Sequence, residues 1–329
     1  TINVVGVLDG INKYRLSQLE TDKLQVTFTE NIPELPALRI SKRFEGRLTQ
    51  TTYWRITLPQ LFPTLDKILF LDADMLVTGD LANLWSTPVS DTFAAVVADD
   101  LLNAQQRGEQ MSLVGGRYFN AGMMLMNLHQ WREHSLADKV FGALNEKDWE
   151  YNDQDALNLV LNGHVRFVSA DYNTQTYAFS HGQIASPVII HFTGYEKPWH
   201  RTSNHPYTEA FRKHLNQTAY AMQDYPLCLD NEDENILQRL TLMLPEGGDL
   251  ILWGAGMRGR RLALALGDRF PQYNVLMFVD SSVSGTWKDW RISSPQDIKQ
   301  YSPDAVIIAT LPARDQIVQS LHGSAFNII

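Results

Sequence analysis

The stretch KILFLDADMLV, from Lys67 to Val77, decides how the chain is interpreted. An apolar run with strand character ends in two carboxylates, Asp72 and Asp74, which alternation along a strand would place on one face. Ligands collect at the carboxyl ends of strands in open α/β sheets, and two hard oxygen donors suit Mg²⁺ or Mn²⁺. The pattern favours a divalent-metal site that attracts a diphosphate. An acidic turn that caps a buried strand is the alternative interpretation.

Three later segments strengthen the interpretation of the acidic pair. They read YFNAGMMLMNL from Tyr118 to Leu128, YNDQDALNL from Tyr151 to Leu159, and HFTGYEKPWH from His191 to His200. With FLDADMLV and the upstream TQTTYWRITLPQLFP of residues 49–63, their order and spacing resemble glycosyltransferase family 8, up to about His205. That family moves a sugar from a UDP-sugar with retention of anomeric configuration. Within it, VSADYNTQ at residues 168–175 is most similar to bacterial lipopolysaccharide-core glucosyl- and galactosyltransferases.

The resemblance implies a metal centre and a donor site. The apolar run before His191 would bring a neutral imidazole nitrogen to the acidic pair, although a hydrogen-bonded structural histidine is the alternative. Lys197 offers a point charge for the diphosphate, and Gly194 lets the backbone approach it. The predicted cofactor is Mn²⁺, or Mg²⁺, bound by Asp72, Asp74 and His191. The predicted donor-binding residues are Arg55, Asp72, Asn120, Asp153, Gly194 and Lys197.

Gln154 and Asp155 are the predicted catalytic residues. By resemblance, Gln154 faces the β side of the sugar, and an amide is a poor nucleophile. This favours front-face attack by the acceptor hydroxyl with the departing phosphate as base, and Asp155 is the alternative as a transient nucleophile. Asp153 and Asp155 also suit the acidic first turn of a helix. Asp99 matches a position near the acceptor, although an Asp-Asp pair with Asp100 is ordinary turn chemistry.

Length and composition limit the possible functions. The chain has 329 residues, enough for two domains. A net charge of −9 argues against a nucleic-acid partner. One cysteine, Cys228, excludes an intrachain disulfide and fits a reducing cytoplasm. No apolar run approaches the roughly 20 residues of a membrane helix, and no signal peptide is visible. A cytoplasmic location is expected, with at most peripheral contact at the inner face of the cytoplasmic membrane.

The predicted fold class is α/β, in three parts. Residues 1–222 are expected to form a GT-A-type nucleotide-sugar transferase domain with a mixed sheet. Residues 223–247 are expected to form a linker, and residues 248–329 a small Rossmann-like parallel α/β domain. The first domain is expected to lack its first strand-helix unit and the last to be truncated at its C-terminus. Residues 197–213 are locally basic and aromatic. They suit either a solvated helix face or a dock for a phosphorylated lipid-linked glycan.

The C-terminal part contains a second glycine motif. In DLILWGAGMRGRRLALAL, a strand leads into Gly254, Gly256 and Gly259 in G-x-G-x-x-G spacing and then a helix. A second strand ends in Asp280, about 20 residues further on, as a dinucleotide fingerprint requires. The segment resembles Rossmann-like domains appended to sugar-modifying enzymes. A second nucleotide site and close helix-strand packing by glycine alone are both open interpretations.

Three functions follow from these patterns. The first is a metal-dependent retaining hexosyltransferase that moves glucose or galactose from UDP-glucose or UDP-galactose to a glycan or lipid-linked glycan, in lipopolysaccharide or other surface polysaccharide synthesis. The second is an NAD-linked dehydrogenase or epimerase centred on the C-terminal domain, where no complete catalytic constellation accompanies the fingerprint. The third is a catalytically dead UDP-sugar-binding module. The first is favoured because a metal site coincides with groups suited to sugar hydroxyls.

Overall fold

The chain separates into two units in the computed structural model. The first comprises Thr1–Lys197 and Lys213–Ala221, and the second comprises Pro198–Arg212 and Met222–Ile329. The main division at Met222 falls beside the boundary predicted at residue 222, whereas Pro198–Arg212 groups with the second unit. The structure describes residues 2–7, 24–29, 34–39, 50–101, 103–180, 186–218, 220–222, 224–310 and 313–329.

Strands of the first unit form a mixed sheet with two smaller sheets. They are β1 Ile2–Val7, β2 Leu24–Thr29, β3 Lys67–Leu71, β4 Met75–Val77, β5 Ala94–Ala98, β6 Phe119–Asn127, β7 Val165–Phe167, β8 Thr174–Gln175 and β9 Ile189–His191. The main sheet has the order β3-β6-β5-β7, in which β6 is antiparallel to both neighbours and β7 is parallel to β5. A second sheet has the order β4-β9-β8, and β1 pairs with β2 in parallel. The predicted mixed α/β architecture is confirmed.

The central strand β6 locates the core of the first unit. All nine of its residues, FNAGMMLMN, are buried, because helices and neighbouring strands cover both of its faces. Trp131, Leu144 and Leu157 pack in the same cluster. The helices are α1 Trp54–Leu61, α2 Ala82–Trp85, α3 Ala104–Gln110, α4 Leu128–Glu133, α5 Leu136–Glu146, α6 Asp153–Val160, α7 Thr176–Ser180 and α8 Thr208–Leu215, of which α8 contains residues of both units.

The stretch FLDADMLV is two strands with a turn between them. β3 ends at Leu71 and β4 begins at Met75, so Asp72 and Asp74 lie in the connection. β3 pairs with β6, whereas β4 pairs with β9, so the chain passes from one sheet to the other at this point. The expectation that alternation along one strand aligns the two carboxylates is therefore wrong. The turn, and not a strand face, positions them.

The second unit is built on a mainly parallel sheet. Its strands are β10 Gly248–Trp253, β11 Tyr273–Val279, β12 Gly285–Trp287, β13 Trp290–Ser293, β14 Ala305–Ile308 and β15 Asn327–Ile328, in the order β12-β13-β11-β10-β14-β15. Only the pairing of β12 with β13 is antiparallel among these described strands. Leu250 and Leu252 pack on one face, and Ile251 packs on the other. The helices are α9 Asn231–Met243, α10 Met257–Arg269 and α11 Arg314–Ser320.

Helix α9, Asn231–Met243, occupies about half of the predicted linker 223–247. Ile236, Leu237 and Leu240 are buried in the cluster that also holds Leu250 of β10. Asp233 is 0% exposed, although an acidic segment of this kind is usually a solvated surface. The linker prediction is therefore corrected: an apolar helix face lies within the acidic sequence, and it packs onto the second unit. Within the described parts of the chain, no helix is both long and apolar enough to span a bilayer.

Candidate active site

Asp72, Asp74 and His191 converge in the first unit. One ligand atom of each lies within 4.8 Å of the others. His191 Nε2 is 3.2 Å from Asp74 Oδ1 and 3.8 Å from Asp72 Oδ2. The register of β4 and β9 pairs Met75 with His191, which brings the histidine beside the acidic turn. The predicted convergence is confirmed, and two carboxylates with one imidazole nitrogen are a donor set that fits a divalent cation.

Buried amides fix the orientation of His191. Asn120 Nδ2 donates to Asp99 Oδ2 at 3.1 Å, which leaves Asn120 Oδ1 to accept from Asn173 Nδ2 at 3.0 Å. Asn173 Oδ1 is then the acceptor for His191 Nδ1, 2.9 Å away. Because an ionised carboxylate only accepts hydrogen bonds, this order places the imidazole proton on Nδ1. When His191 carries only this proton, the lone pair of Nε2 faces the two aspartates, as a metal ligand requires. A doubly protonated His191 instead donates from Nε2 to Asp74.

Asn173 and Gly122 are site residues that the sequence analysis missed. Asn173 is 1% exposed and lies in VSADYNTQ, which supported only the subfamily resemblance. A Cβ on Gly122 would lie 2.3 Å from His191 Cε1 and 2.8 Å from Asp72 Oδ2. Gly122 therefore allows the two predicted metal ligands to approach β6 closely. A glycine inside an apolar strand is the signal that could have indicated this approach.

Arg55 connects the acidic turn with the start of α6. Its Nη2 donates to Asp72 Oδ1 at 2.8 Å, and its Nη1 donates to the carbonyl oxygen of Ala121 at 2.7 Å. Its Nε lies 3.4 Å from Asp153 Oδ2 but donates to the carbonyl oxygen of Thr52. Among the described residues, that carboxylate oxygen consequently has no hydrogen-bond partner. Burial raises the pKa of Asp153 to about 6, against the opposing charge of Arg55.

Lys197 and Gly194 follow β9 on one loop. Lys197 Nζ lies 2.6 Å from Asp74 Oδ2. Burial opposes ionisation of Asp74, but the hydrogen bond and charge of His191, with the charge of Lys197, hold the pKa of Asp74 well below its usual range. Gly194 has a φ of +87°, a conformation that residues with side chains rarely adopt. A cation and a glycine turn thus lie beside the acidic pair.

The side-chain amide of Gln154 connects the backbone of β6 with Asp99. Its Oε1 accepts the N–H of Ala121 at 3.0 Å, and its Nε2 donates to Asp99 Oδ2 at 3.0 Å. Nε2 also lies 3.3 Å from the hydroxyl of Tyr118. Asp99 therefore receives hydrogen bonds from both Gln154 and Asn120. The same carboxylate connects the predicted catalytic amide with the amides that orient His191.

Asp155 is fully buried and surrounded by donors. Arg107 donates from both Nε, at 2.7 Å, and Nη2. The Tyr118 hydroxyl donates at 2.7 Å and the N–H of Tyr151 at 2.8 Å. Burial and the charge of Asp155 raise the pKa of Tyr118, so the phenol keeps its proton. Arg107 was not predicted, because AQQRGEQ carries no local signal of a distant buried partner. Tyr118 entered the sequence analysis only as the first residue of YFNAGMMLMNL, without a role of its own.

The residues of the second glycine motif lie in the second unit. Gly254, Gly256 and Asp280 line a cavity there. Gly259 packs closely, since a Cβ on it would lie 1.9 Å from the carbonyl oxygen of Gly254. Both interpretations of the motif therefore have a structural counterpart: one glycine serves helix-strand packing, and the others border open space.

The two arginines of the basic segment 197–213, Arg201 and Arg212, bind other residues of the second unit. Arg201 pairs with Asp268. Arg212 donates to the carbonyl oxygens of Pro198 and His200, and its guanidinium lies 4.1 Å from the ring centroid of Tyr225. We predicted either a solvated helix face or a dock for a lipid-linked glycan at this segment. Neither interpretation fully describes the two arginines, because both make contacts within the second unit.

The fold and this constellation agree with a known family. The sequence pattern described as glycosyl transferase family 8 matches residues 7–203, more than half of the chain. The chain belongs to glycosyltransferase family 8. A second family, described as C2185-like, N-terminal, matches residues 248–326.

Bacterial enzymes are among the relatives. The lipopolysaccharide 1,2-glucosyltransferase of Escherichia coli strain K12 is 30% identical over 221 residues, 62% of this chain and 61% of that protein. The lipopolysaccharide 1,3-galactosyltransferase of Salmonella typhimurium is 32% identical over 180 residues, 50% of this chain and 53% of that protein. The chain spans between half and two thirds of the length of these two relatives.

Solved structures share the fold of the first unit. The galactosyltransferase LgtC, in complex with donor and acceptor sugar analogues, is 22% identical with a TM-score of 0.51, covering 71% of this chain and 99% of LgtC. The bifunctional glycosyltransferase WbbM is 22% identical with a TM-score of 0.55, covering 66% of this chain and 44% of WbbM. Likeness at this identity supports the GT-A-type fold that the sequence predicted.

Proposed function

We propose that this protein transfers glucose or galactose from a UDP-sugar to a glycan acceptor, with retention of anomeric configuration. The convergence of Asp72, Asp74 and His191 beside Arg55 and Lys197 is the observation that carries the proposal. It combines a hard-cation donor set with two fixed positive charges, as the binding of a diphosphate leaving group needs. The relatives named as lipopolysaccharide glucosyl- and galactosyltransferases support hexose as the transferred group.

Mn²⁺, or Mg²⁺, is the proposed cofactor, bound by the two aspartates and His191 Nε2. When bound, the ion supplies positive charge that stabilises the departing diphosphate. Lys197 contributes a second charge from the loop after β9, and the backbone at Gly194 can approach the phosphates closely. Asn173 keeps His191 in the tautomer that binds a cation.

Asp153, Arg55 and Asn120 are the proposed contacts to the donor sugar. The Oδ2 atom of Asp153 is buried and accepts no hydrogen bond from the described residues, and a sugar hydroxyl would satisfy it. Arg55 holds this carboxylate and Asp72 in a fixed relation, because its guanidinium reaches both. The donor hexose and the metal would therefore be positioned by one buried arginine.

Gln154 is proposed to position the sugar without forming a covalent bond to it. The anomeric carbon passes through an oxocarbenium-like state, in which the acceptor hydroxyl attacks from the face that the leaving phosphate occupies and gives up its proton to that phosphate. Asp155 is less suited to nucleophilic attack, because it is fully buried and receives four hydrogen bonds. We propose that it anchors Arg107 and Tyr118 behind Gln154.

Asp99 is proposed to orient the acceptor through the side-chain amides of Asn120 and Gln154, which both donate to its carboxylate. The acceptor would be a glycan, free or lipid-linked, at the inner face of the cytoplasmic membrane. The bacterial relatives that act on lipopolysaccharide support this class of acceptor.

Donor turnover tests the proposal. The full chain is incubated with UDP-glucose or UDP-galactose and Mn²⁺, and released UDP is measured with and without EDTA. Turnover should require metal and should be lost in Asp74→Asn, whereas Asp148→Asn, at an exposed position, should behave as the wild type. UDP binding without turnover of either donor would favour the catalytically dead module. Copurified NAD with redox activity would favour the dehydrogenase or epimerase.

A further inference from the structure

The second unit contains a cavity of about 640 Å³ that the transferase function does not use. It lies at the carboxyl ends of three parallel strands, bordered by Gly254 after β10, Asp280 after β11 and Thr310 after β14. We propose that this cavity binds a nucleoside diphosphate group, independently of the site in the first unit. The proposal does not rest on the proposed transferase function.

The sheet topology places the cavity where α/β proteins bind ligands. β10 is central: the chain passes through α10 to β11 on one side, and β14 pairs on the other side. At such a reversal of strand order, the connections diverge above the strand ends and leave a crevice. The cavity residues from the ends of β10, β11 and β14 surround this point.

Two glycines shape the turn between β10 and α10. Gly254 has a φ of +113°, which favours glycine. Gly256 has a φ of −72° that any residue can adopt, yet nothing lies within 4 Å of the position its Cβ would take. Gly256 also lines the cavity. Neither backbone strain nor protein packing therefore requires glycine at position 256, and its effect is to leave open space where a ligand could reach the backbone.

The charge and polarity of the lining fit a diphosphate joined to a nucleoside. The start of α10 would suit an anion, because its first turn has no acidic residue and its N–H groups have no side-chain cap. Arg260 adds a positive charge to the lining. Ser281, Ser282 and Thr310 offer hydroxyls of the kind that bind a ribose, and Trp253 offers an apolar surface for a base.

Asp280 holds the two connections that border the cavity. Its Oδ2 accepts the N–H of Ala255 at 2.9 Å, and its Oδ1 accepts the N–H of Ser282 at 2.8 Å. The carboxylate thus ties the glycine turn to the turn after β11. Oδ1 also accepts the N–H of Val283 at 3.2 Å, whereas Oδ2 has a further lone pair with which Asp280 could accept a ribose hydroxyl, as the fingerprint predicts.

Isothermal titration of the full chain tests the proposal. An Asp74→Asn background with EDTA removes metal-dependent binding in the first unit, so the second site is measured alone. UDP and UDP-glucose test for a nucleotide-sugar ligand, and ADP and NAD⁺ test for a dinucleotide ligand. We expect the two probes of at least one of these sets to bind saturably, with one molecule per chain. Absence of binding by all four at millimolar concentration would overturn the proposal.

Gly256→Leu provides the structural test, with Gly267→Leu as its matched control. Gly267 is also without neighbours within 4 Å of its Cβ position, but it does not line the cavity. Gly256→Leu should weaken binding at least tenfold, and Gly267→Leu should leave it unchanged. Equal affinity in the two variants would overturn the assignment of the site. If Gly256→Leu does not fold, Arg260→Gln should still weaken the binding, and unchanged affinity in that variant would count against the proposal.

Discussion

The Nζ atom of Lys197 lies 2.6 Å from Asp74 Oδ2 and 2.6 Å from the carbonyl oxygen of Phe192. One ammonium group thus neutralises a carboxylate that also lies 3.2 Å from His191 Nε2. A divalent cation bound by Asp74 would have to share this carboxylate with Lys197. We expect Lys197 to weaken metal binding in the absence of nucleotide and to favour it once a diphosphate accepts the ammonium.

Replacing Lys197 by methionine separates these two effects. Lys197→Met should bind Mn²⁺ alone about 3- to 10-fold more tightly, because a competing charge worth about 1 kcal/mol is lost. The same variant should bind UDP in the presence of Mn²⁺ more weakly. Titration calorimetry measures both, and Lys139→Met on the exposed face of α5 is the charge-matched control. Weaker binding of both ligands would show that Lys197 is not a competitor of the metal.

Gly122→Ala should damage the metal site selectively. The new Cβ would stand 2.3 Å from His191 Cε1, so the histidine or β6 must move by more than the packing allows. We expect Mn²⁺ affinity to fall at least tenfold, with a loss of about 1 to 3 kcal/mol in the free energy of unfolding. Gly142→Ala, in helix α5 with nothing within 4 Å of the new Cβ, should bind Mn²⁺ as the wild type does. Unchanged Mn²⁺ binding in Gly122→Ala would contradict the assignment of His191 as a ligand.

Asn173 tests whether an indirect hydrogen bond supports the metal. Asn173→Ala removes the acceptor of the His191 Nδ1 proton and should reduce Mn²⁺ affinity about 10- to 100-fold. Asn173→Asp keeps an acceptor for His191 but loses the donor to Asn120 Oδ1. It should therefore retain most of the affinity for Mn²⁺. Equal losses in the two variants would assign the effect to packing and not to the orientation of His191.

Gln154 distinguishes front-face attack from double displacement. Gln154→Ala should lower the rate by about 10- to 10³-fold, the range for a lost positioning or electrostatic contact. Gln154→Glu presents a carboxylate that could trap the sugar, as in retaining hydrolases. Intact-mass spectrometry after incubation with donor measures the adduct. A hexose on Gln154 or Asp155 of the wild type would refute front-face attack, whereas an adduct confined to Gln154→Glu would show that the native amide avoids the covalent route.

Asp153 predicts how stability depends on pH. Its folded pKa of about 6 lies above the value of about 3.9 expected for an unfolded chain, so the folded protein holds this proton more tightly. As pH rises from about 4 to 7, the wild type should lose about 1 to 3 kcal/mol of stability relative to Asp153→Asn. Urea unfolding at several pH values measures this difference. Asp148→Asn, at an exposed site, should differ from the wild type by the same amount at each pH; a constant difference for Asp153→Asn would contradict the raised pKa.

The sequence was sufficient to predict the family and the convergence of three side chains that could bind a metal. Asp72, Asp74 and His191 belong to short motifs whose order along the chain indicates a common site, even though the two aspartates lie in a turn and not along one strand. Such predictions succeed where a local pattern carries the chemistry, because the pattern is complete within a few residues.

Other features depended on residues that are distant in sequence. Asp155 is neutralised by Arg107, 48 positions away, and His191 is oriented by Asn173, 18 positions away. The sequence by itself determined the three candidate metal ligands and the candidate catalytic amide Gln154, because short motifs contain them. Only the tertiary structure decided which proton His191 carries, whether Asp155 is free to attack, and that α9 joins the second unit. Burial removes water as a competing partner, so each of these groups is governed by the neighbour that the fold brings to it.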